Sequence, residues 1–225
     1  MEYLPRLIRE KQEEGFSPFA TKSVMSKGRK VPVEKCSVRT EFERDAGRIL
    51  YSLEFRRLRH KTQVFFNPQN DHICTRMEHV LSVNYISNTI ARSLDLNPDL
   101  VNAIALGHDI GHPPFGHSGE RTLDQCMKKH GDTAGFSHEL HSLRVADRLS
   151  ARKERPGVSG LNLTFEVRDG IVSHCGETYN EILLEPDRAK EPVDLEGPGA
   201  ANMMPSTLEG CVVRFADRSE EHTSE

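Results

Sequence analysis

Cysteine is scarce in this chain and falls into no pattern: Cys36, Cys74, Cys126, Cys175 and Cys211 are odd in number and far apart, with no Cys-x-x-Cys spacing among 225 residues. That argues against a zinc ribbon and against a secreted disulfide framework, and for thiols kept reduced in a cytosol. No apolar run approaches the roughly 20 residues that cross a bilayer. The opening residues Met1-Glu2-Tyr3-Leu4-Pro5-Arg6 lead into charge and not into the apolar stretch of a secretion signal. A cytoplasmic protein without a membrane partner is expected. An excess of positive charge is missing too, since 30 Lys and Arg face 34 Asp and Glu for a formal net charge of -4. The surface as a whole is therefore not built to attract nucleic acid, and recognition of anions must be local. No stretch alternates apolar and polar residues convincingly, and no internal repeat is visible.

What remains is helical patterning, in a chain long enough for a core that needs no staples. Residues 1–39 are basic and poorly periodic and read as an irregular lead-in. Thr40 and Glu43 match a capping box, and Phe42, Ala46, Ile49, Leu50 and Leu53 recur at helical spacing. This helix is expected to run on into the cationic stretch Arg56-Arg57-Leu58-Arg59-His60-Lys61, either a solvated face or a surface that meets phosphate. A second helix is expected from Arg76 to Leu94, with Val83, Ile86, Ile90 and Leu94 inside and His79 on the same face. Asn97-Pro98 opens a third, with Leu100, Val101, Ile104 and Ala105 inside. Ser118 is expected to cap a helix to His130. Another starts at Ser137 with Leu140, Leu143 and Leu149 on one side, and a further one runs from Thr164 to about His174. Residues 181–205 carry four prolines and read as a loop insertion. After Pro205, Ser206 and Glu209 form a second capping box for a helix that buries Cys211, Val212, Val213, Phe215 and Ala216 and carries Asp217. The fold class is all-α.

The densest chemistry lies at residues 105–120, where His108, Asp109, His112, His117 and Glu120 crowd a helix end and a Gly/Pro turn. A single histidine on an apolar face is usually a satisfied core residue. His79 and His108 stand on successive helices, each at the end of a core stripe, which is harder to treat that way. With Asp109 and Asp217 they would supply two imidazole nitrogens and two carboxylates from three helices. Such a set leaves open positions and favours octahedral Mg, Mn or Fe over a closed zinc site. The cation would in turn clamp the bundle.

These residues resemble a known family. His79, then His108-Asp109, then Asp217 look like the metal signature of the HD phosphohydrolase superfamily. Thr75-Arg76-Met77-Glu78-His79, the run from Ala105 to Glu120, and Gly160-Leu161-Asn162-Leu163-Thr164-Phe165-Glu166-Val167 are similar to the bacterial deoxyguanosinetriphosphate triphosphohydrolase (dGTPase) family. Arg44-Asp45-Ala46-Gly47-Arg48 and Phe55-Arg56-Arg57-Leu58 stand in that family's order, so the likeness covers about residues 40–218. It implies an HD-domain helical bundle over 40–218 and hydrolysis of deoxynucleoside triphosphates to a deoxynucleoside and inorganic triphosphate. It also implies a divalent metal on His79, His108, Asp109 and Asp217. His117 and Glu120 resemble the catalytic pair, His138 matches another active-site histidine, and His112 lines the same pocket. Gln63, Arg76 and Arg59 stand where relatives meet the sugar and phosphates. Relatives often form homo-oligomers, and some bind single-stranded nucleic acid.

Relatives continue beyond the Asp217 position, so the expectation is a chain truncated at its C-terminus with an artefactual tail at 219–225. Two other readings are a generic HD phosphohydrolase acting on another nucleotide and a catalytically silent protein that binds nucleotide or nucleic acid. The Pro113-to-His117 segment and the Arg76-to-His79 spacing favour the triphosphohydrolase over the first. The complete set of ligands with His117 and Glu120 favours it over the second.

Overall fold

The computed structural model describes residues 4–62, 74–151, 159–175 and 183–224, with side chains described to residue 219. Its architecture is all-α. Among the described residues there are only isolated bridges, Arg29 to Thr164, Thr62 to Thr75 and Ala151 to Ser159, and no strand.

The centre of the molecule is α5, Pro98–Gly107. Asn97 caps it by accepting from the Asp99 and Leu100 amides at 3.0 and 3.4 Å, and Pro98 fills the first turn, where its missing N–H costs nothing. Leu100, Val101, Ala103, Ile104 and Ala105 are fully buried. A helix with apolar residues on nearly every face must be wrapped on nearly every side. Four helices do so: α2 (Glu41–Leu50), α4 (Arg76–Ser93), α8 (Phe165–Val172) and α9 (Leu208–Ser224). Burying Leu100, Val101 and Ile104 contributes about 1.5–3 kcal/mol each. The approach of α8 is close enough to require Gly170, where a Cβ would sit 2.5 Å from Ile104 Cδ1. Because α5 is locked along its length, the residue after it, His108, is delivered to a fixed point.

The peripheral elements depart from expectation in instructive ways. The lead-in contains a helix, α1 (Pro5–Gln12), begun by a proline in its first turn. The Thr40–Glu43 capping box is present, but α2 stops at Leu50. Ser52 accepts from the Phe55 amide and caps a separate short helix, α3 (Leu53–Arg57), so a local side-chain cap wins over continued periodicity. On α4 the buried row is His79, Val80, Val83, Ser87 and Ala91 with Arg76, while Leu94 is exposed beyond the helix end. The helix expected at Ser118 is α6 (Gly116–Lys129), and it starts earlier, after Phe115 in the left-handed region at φ 69°. Ser137 caps α7 (His138–Arg144) as expected, although Leu149 is exposed at the end of the π turn that follows.

The stretch 183–207 is largely irregular, with two short 3-10 turns, and it is anchored. Lys190 is buried and pairs with buried Asp169 of α8 at 2.5 Å. The Ser206 amide donates to the same carboxylate at 2.6 Å. No capping box forms there: Thr207 Oγ1 accepts from the Gly210 amide at 3.0 Å. Glu209 is buried and turned to the Thr21 and Asn97 amides at 2.8 and 3.1 Å. Phe215, expected inside, is exposed, and α9 continues through the polar tail to Ser224. No described helix is long and apolar enough to cross a membrane.

Candidate active site

Three elements meet at one buried point. The first turn of α4 brings His79, the exit of α5 brings His108 and Asp109, and α9 brings Asp217, all four buried. His79 Nε2 lies 3.0 Å from Asp217 Oδ1 and 3.4 Å from His108 Nε2. Asp109 Oδ2 is 3.9 Å from both imidazole nitrogens. His108 Nδ1 donates to the Ala105 carbonyl at 2.7 Å, which leaves the lone pair on Nε2 facing this point. Asp217 Oδ1 is buried, and its 3.0 Å contact with His79 Nε2 is not aligned as a hydrogen bond. Converging lone pairs with an unsatisfied carboxylate oxygen are what a cation would relieve, so His79, His108, Asp109 and Asp217 fit a divalent ion.

Electrostatics keep both carboxylates ionised. Burial alone would push Asp109 up, but Arg76, His108, His112 and His79 hold it well below the usual range. Asp217 is likewise held down against burial by His108, His79 and His174. Arg76 is buried and committed to Asp109, with Nη1 to Oδ2 at 2.5 Å.

The turn after α5 is held by contact with α7. A Cβ at Gly111 would meet the Ser142 amide nitrogen at 2.3 Å. That closeness lets the Gly111 amide donate to Ser142 Oγ at 3.0 Å and His141 Nδ1 donate to the Gly111 carbonyl at 2.7 Å. His112 therefore projects beside α7, its ring centroid 4.8 Å from that of His138 and 5.7 Å from that of His117. Burial lowers the His112 pKa to about 3 and keeps it neutral.

Glu120 is expected to orient His117, and it does more. Glu120 Oε1 accepts from the His138 amide at 2.8 Å and from Nδ1 at 2.9 Å, while Oε2 is 3.6 Å from His117 Nδ1. Burial opposes a charge on His138, yet Glu120, Glu139 and Asp109 raise it to about 9. His138 is thus a buried imidazolium beside His112, whereas His117 is exposed.

Of the residues expected to meet substrate, Gln63 lies outside the described residues. Arg59 is exposed on a single 3-10 turn, and Arg56 and Arg57 at the end of α3 are exposed too. Two residues on, Lys61 is only half exposed. Its Nζ is 3.4 Å from the Ile110 carbonyl, and burial lowers its pKa to about 8 against the pull of Asp109. Sequence reasoning also passed over His174 and Cys175. The His174 ring sits 5.0 Å from that of His108 and 5.3 Å from that of His138. Cys175 Sγ is 3.5 Å from His138 Nε2 and 3.9 Å from Asp217 Oδ2. The adjacent His-Cys pair at the end of the helix expected from Thr164 was the available signal.

An all-α bundle with a His/Asp centre spread over three helices defines the class, and residues 76–221 match the HD domain family model. The chain belongs to the HD-domain family. It is 48% identical over 214 residues to the deoxyguanosinetriphosphate triphosphohydrolase-like protein of Desulfatibacillum aliphaticivorans, covering 93% of this chain and 54% of that protein. The like-named protein of Caldanaerobacter subterraneus subsp. tengcongensis is 46% identical over 203 residues, covering 90% and 50%. That of Ralstonia pickettii is 51% identical over 160 residues, covering 71% and 40%. The chain spans about half the length of the curated relatives it matches.

Proposed function

We propose that this chain carries the catalytic centre of a metal-dependent phosphohydrolase that cleaves deoxynucleoside triphosphates to a deoxynucleoside and inorganic triphosphate. The observation that supports it most is the convergence of His79, His108, Asp109 and Asp217 beside the imidazolium of His138 and its carboxylate Glu120. The names of the relatives give the substrate class.

A divalent cation at the His/Asp centre would supply the positive charge and Lewis acidity that a polyphosphate needs at the reacting phosphorus. Magnesium, manganese or iron suits two imidazoles with carboxylates. The chain's own residues divide the remaining work. Lys61 adds positive charge at the mouth, near Asp109. His112, neutral and buried, has no hydrogen-bond partner at Nε2 among the described residues and offers that atom to the site. His117, exposed and linked to Glu120, would meet the substrate and deliver a proton to the 5′-oxygen leaving group as water attacks the α-phosphorus. Glu120 holds His138 charged against the developing negative charge. The exposed Arg56, Arg57 and Arg59 offer an edge to an anionic partner such as single-stranded nucleic acid, and homo-oligomer assembly belongs to the same reading.

The test is incubation with each deoxynucleoside triphosphate and Mg, Mn or Fe(II), with the inorganic products separated by ion exchange. Triphosphate is the expected product. Pyrophosphate or orthophosphate as the sole inorganic product would point to a different nucleotide phosphohydrolase, and binding without turnover would point to a silent nucleotide-binding protein.

A further inference from the structure

We propose that the groove between α4 and α5 binds a linear aliphatic polyamine, with one ammonium head on Asp99 and its stem laid along Tyr85 and Leu81. The groove is a trough of about 430 Å³, within the size range of small-molecule sites. On α4 its wall runs from Leu81 to Arg92, which is about 16 Å at a helical rise of about 1.5 Å per residue. Pro98, Asp99 and Asn102 of α5 line the other side. An occupant that fills it is long and narrow.

Asp99 fixes the sign of the charge. The acids around it are already matched. Glu43 Oε1 pairs with Arg9 Nη1 at 2.7 Å and Oε2 accepts from the Thr40 amide at 2.8 Å. Glu13 accepts from the Ser23 amide at 2.7 Å and from Asn97 Nδ2 at 3.1 Å. The Asp99 carboxylate has no hydrogen bond or ion pair among the described residues, with Arg92 or any other. Burial, with Glu43 and Glu13 nearby, raises its pKa to about 6 against the pull of Arg9, so at neutral pH it is an unmatched anion. A phosphate or carboxylate would be repelled by these acids, whereas an ammonium group finds an open acceptor.

The rest of the trough suits N–H donors spaced along an alkyl chain. Asn88 Nδ2 donates to the Asn84 carbonyl and to Asn84 Oδ1, both at 2.9 Å, which leaves Asn88 Oδ1 as an acceptor. Asn102 makes no side-chain hydrogen bond among the described residues. Tyr85 is 74% exposed and Leu81 51% exposed, so both are bare to a methylene run, and an ammonium over the Tyr85 ring gains cation–π attraction. An apolar helix laid here would instead bury the carboxamides and Asp99 without partners, which is unfavourable for each of them. An amine that fills the trough also ties α4, which carries His79, to α5, which delivers His108. Binding here is independent of the proposed reaction and is tested without turnover.

Spermidine is the probe. Titration by isothermal calorimetry at fixed ionic strength is expected to show one saturable site per chain, and spermidine is expected to raise the melting temperature. Asp99→Asn keeps the side chain's size and Tyr85→Ala removes an exposed ring, so both should fold. Each is expected to bind spermidine about tenfold more weakly or worse and to lose the thermal shift. Hexaamminecobalt(III), of the same charge but without an alkyl stem, should bind wild type about tenfold more weakly than spermidine. The absence of a saturable spermidine site would overturn the proposal. So would an affinity left unchanged by Tyr85→Ala or by Asp99→Asn, or equal binding of hexaamminecobalt, since each means general attraction to a chain of formal net charge -4.

Discussion

At the scale of the residue, position on the helix matters more than residue type. Eleven histidines are scattered along the chain, and the fold sorts them by environment. His112 is kept neutral by burial, and His138 is kept charged by Glu120. His117, three residues before Glu120 on α6, is exposed. An exposed histidine on the site's rim stabilises nothing by packing, so its replacement tests chemistry with little structural cost. His117→Ala is expected to lower turnover by about 10²–10⁴-fold while bound metal per chain and melting temperature stay at wild-type values. Metal content by elemental analysis alongside steady-state rates checks this, and a fully active variant removes His117 from the mechanism. The doublet His108-Asp109 and the run to Glu120 were legible because ligand-type residues crowd one short stretch. His174 and Cys175 were not. Their significance arises only when α8 folds against α9 and turns the chain end toward Asp217, a contact that no local spacing encodes.

At the scale of the element, three caps were legible, while the expected Ser206–Glu209 box and Ser118 cap do not form and the stops were not legible. The Thr40–Glu43 box, Asn97-Pro98 and Ser137 each mark a start, because the cap is made by a side chain within three residues. The break after Leu50 and the left-handed start of α6 depend on packing that periodicity does not carry. The same holds for 183–207. Its prolines predict irregular chain, yet nothing local predicts that Lys190 plunges into the core to meet Asp169. Breaking a buried pair by removing one partner costs about 3–5 kcal/mol, because the remaining charge is left uncompensated. Lys190→Met is therefore expected to lower the unfolding free energy by about that amount and to expose 183–207 to protease. Adding Asp169→Leu should recover a good part of the loss. Urea unfolding with limited proteolysis checks both, and a Lys190→Met protein as stable and resistant as wild type would show that the pair anchors nothing.

At the scale of the whole molecule, the lead-in is stapled to the bundle by carboxylates that pay for the contact in desolvation. Glu13 accepts from Asn97 Nδ2 at 3.1 Å, Glu166 from the Lys27 amide and Glu209 from the Thr21 amide, and burial raises all three acids. Asp99, in the first turn of α5, belongs to the same acidic seam. Burial, with Glu43 and Glu13 nearby, raises it from 3.8 to about 6, against the pull of Arg9. The sign follows from proton counting. Between those two values the folded chain holds a proton on Asp99 that the unfolded chain releases, so this residue's contribution to stability falls as pH rises through the window. Above about 6 the full penalty is present, and below the unfolded value it is gone. Asp99→Asn removes the charge and keeps the size. The variant is expected to melt at a higher temperature than wild type at neutral pH, with the advantage shrinking to nothing as pH falls through the window. Taking the difference between the two proteins at each pH cancels the groups they share, including the Asp109 and Asp217 centre. A difference that stays constant from neutral to acid would mean that Asp99 ionises in the fold as it does in the unfolded chain.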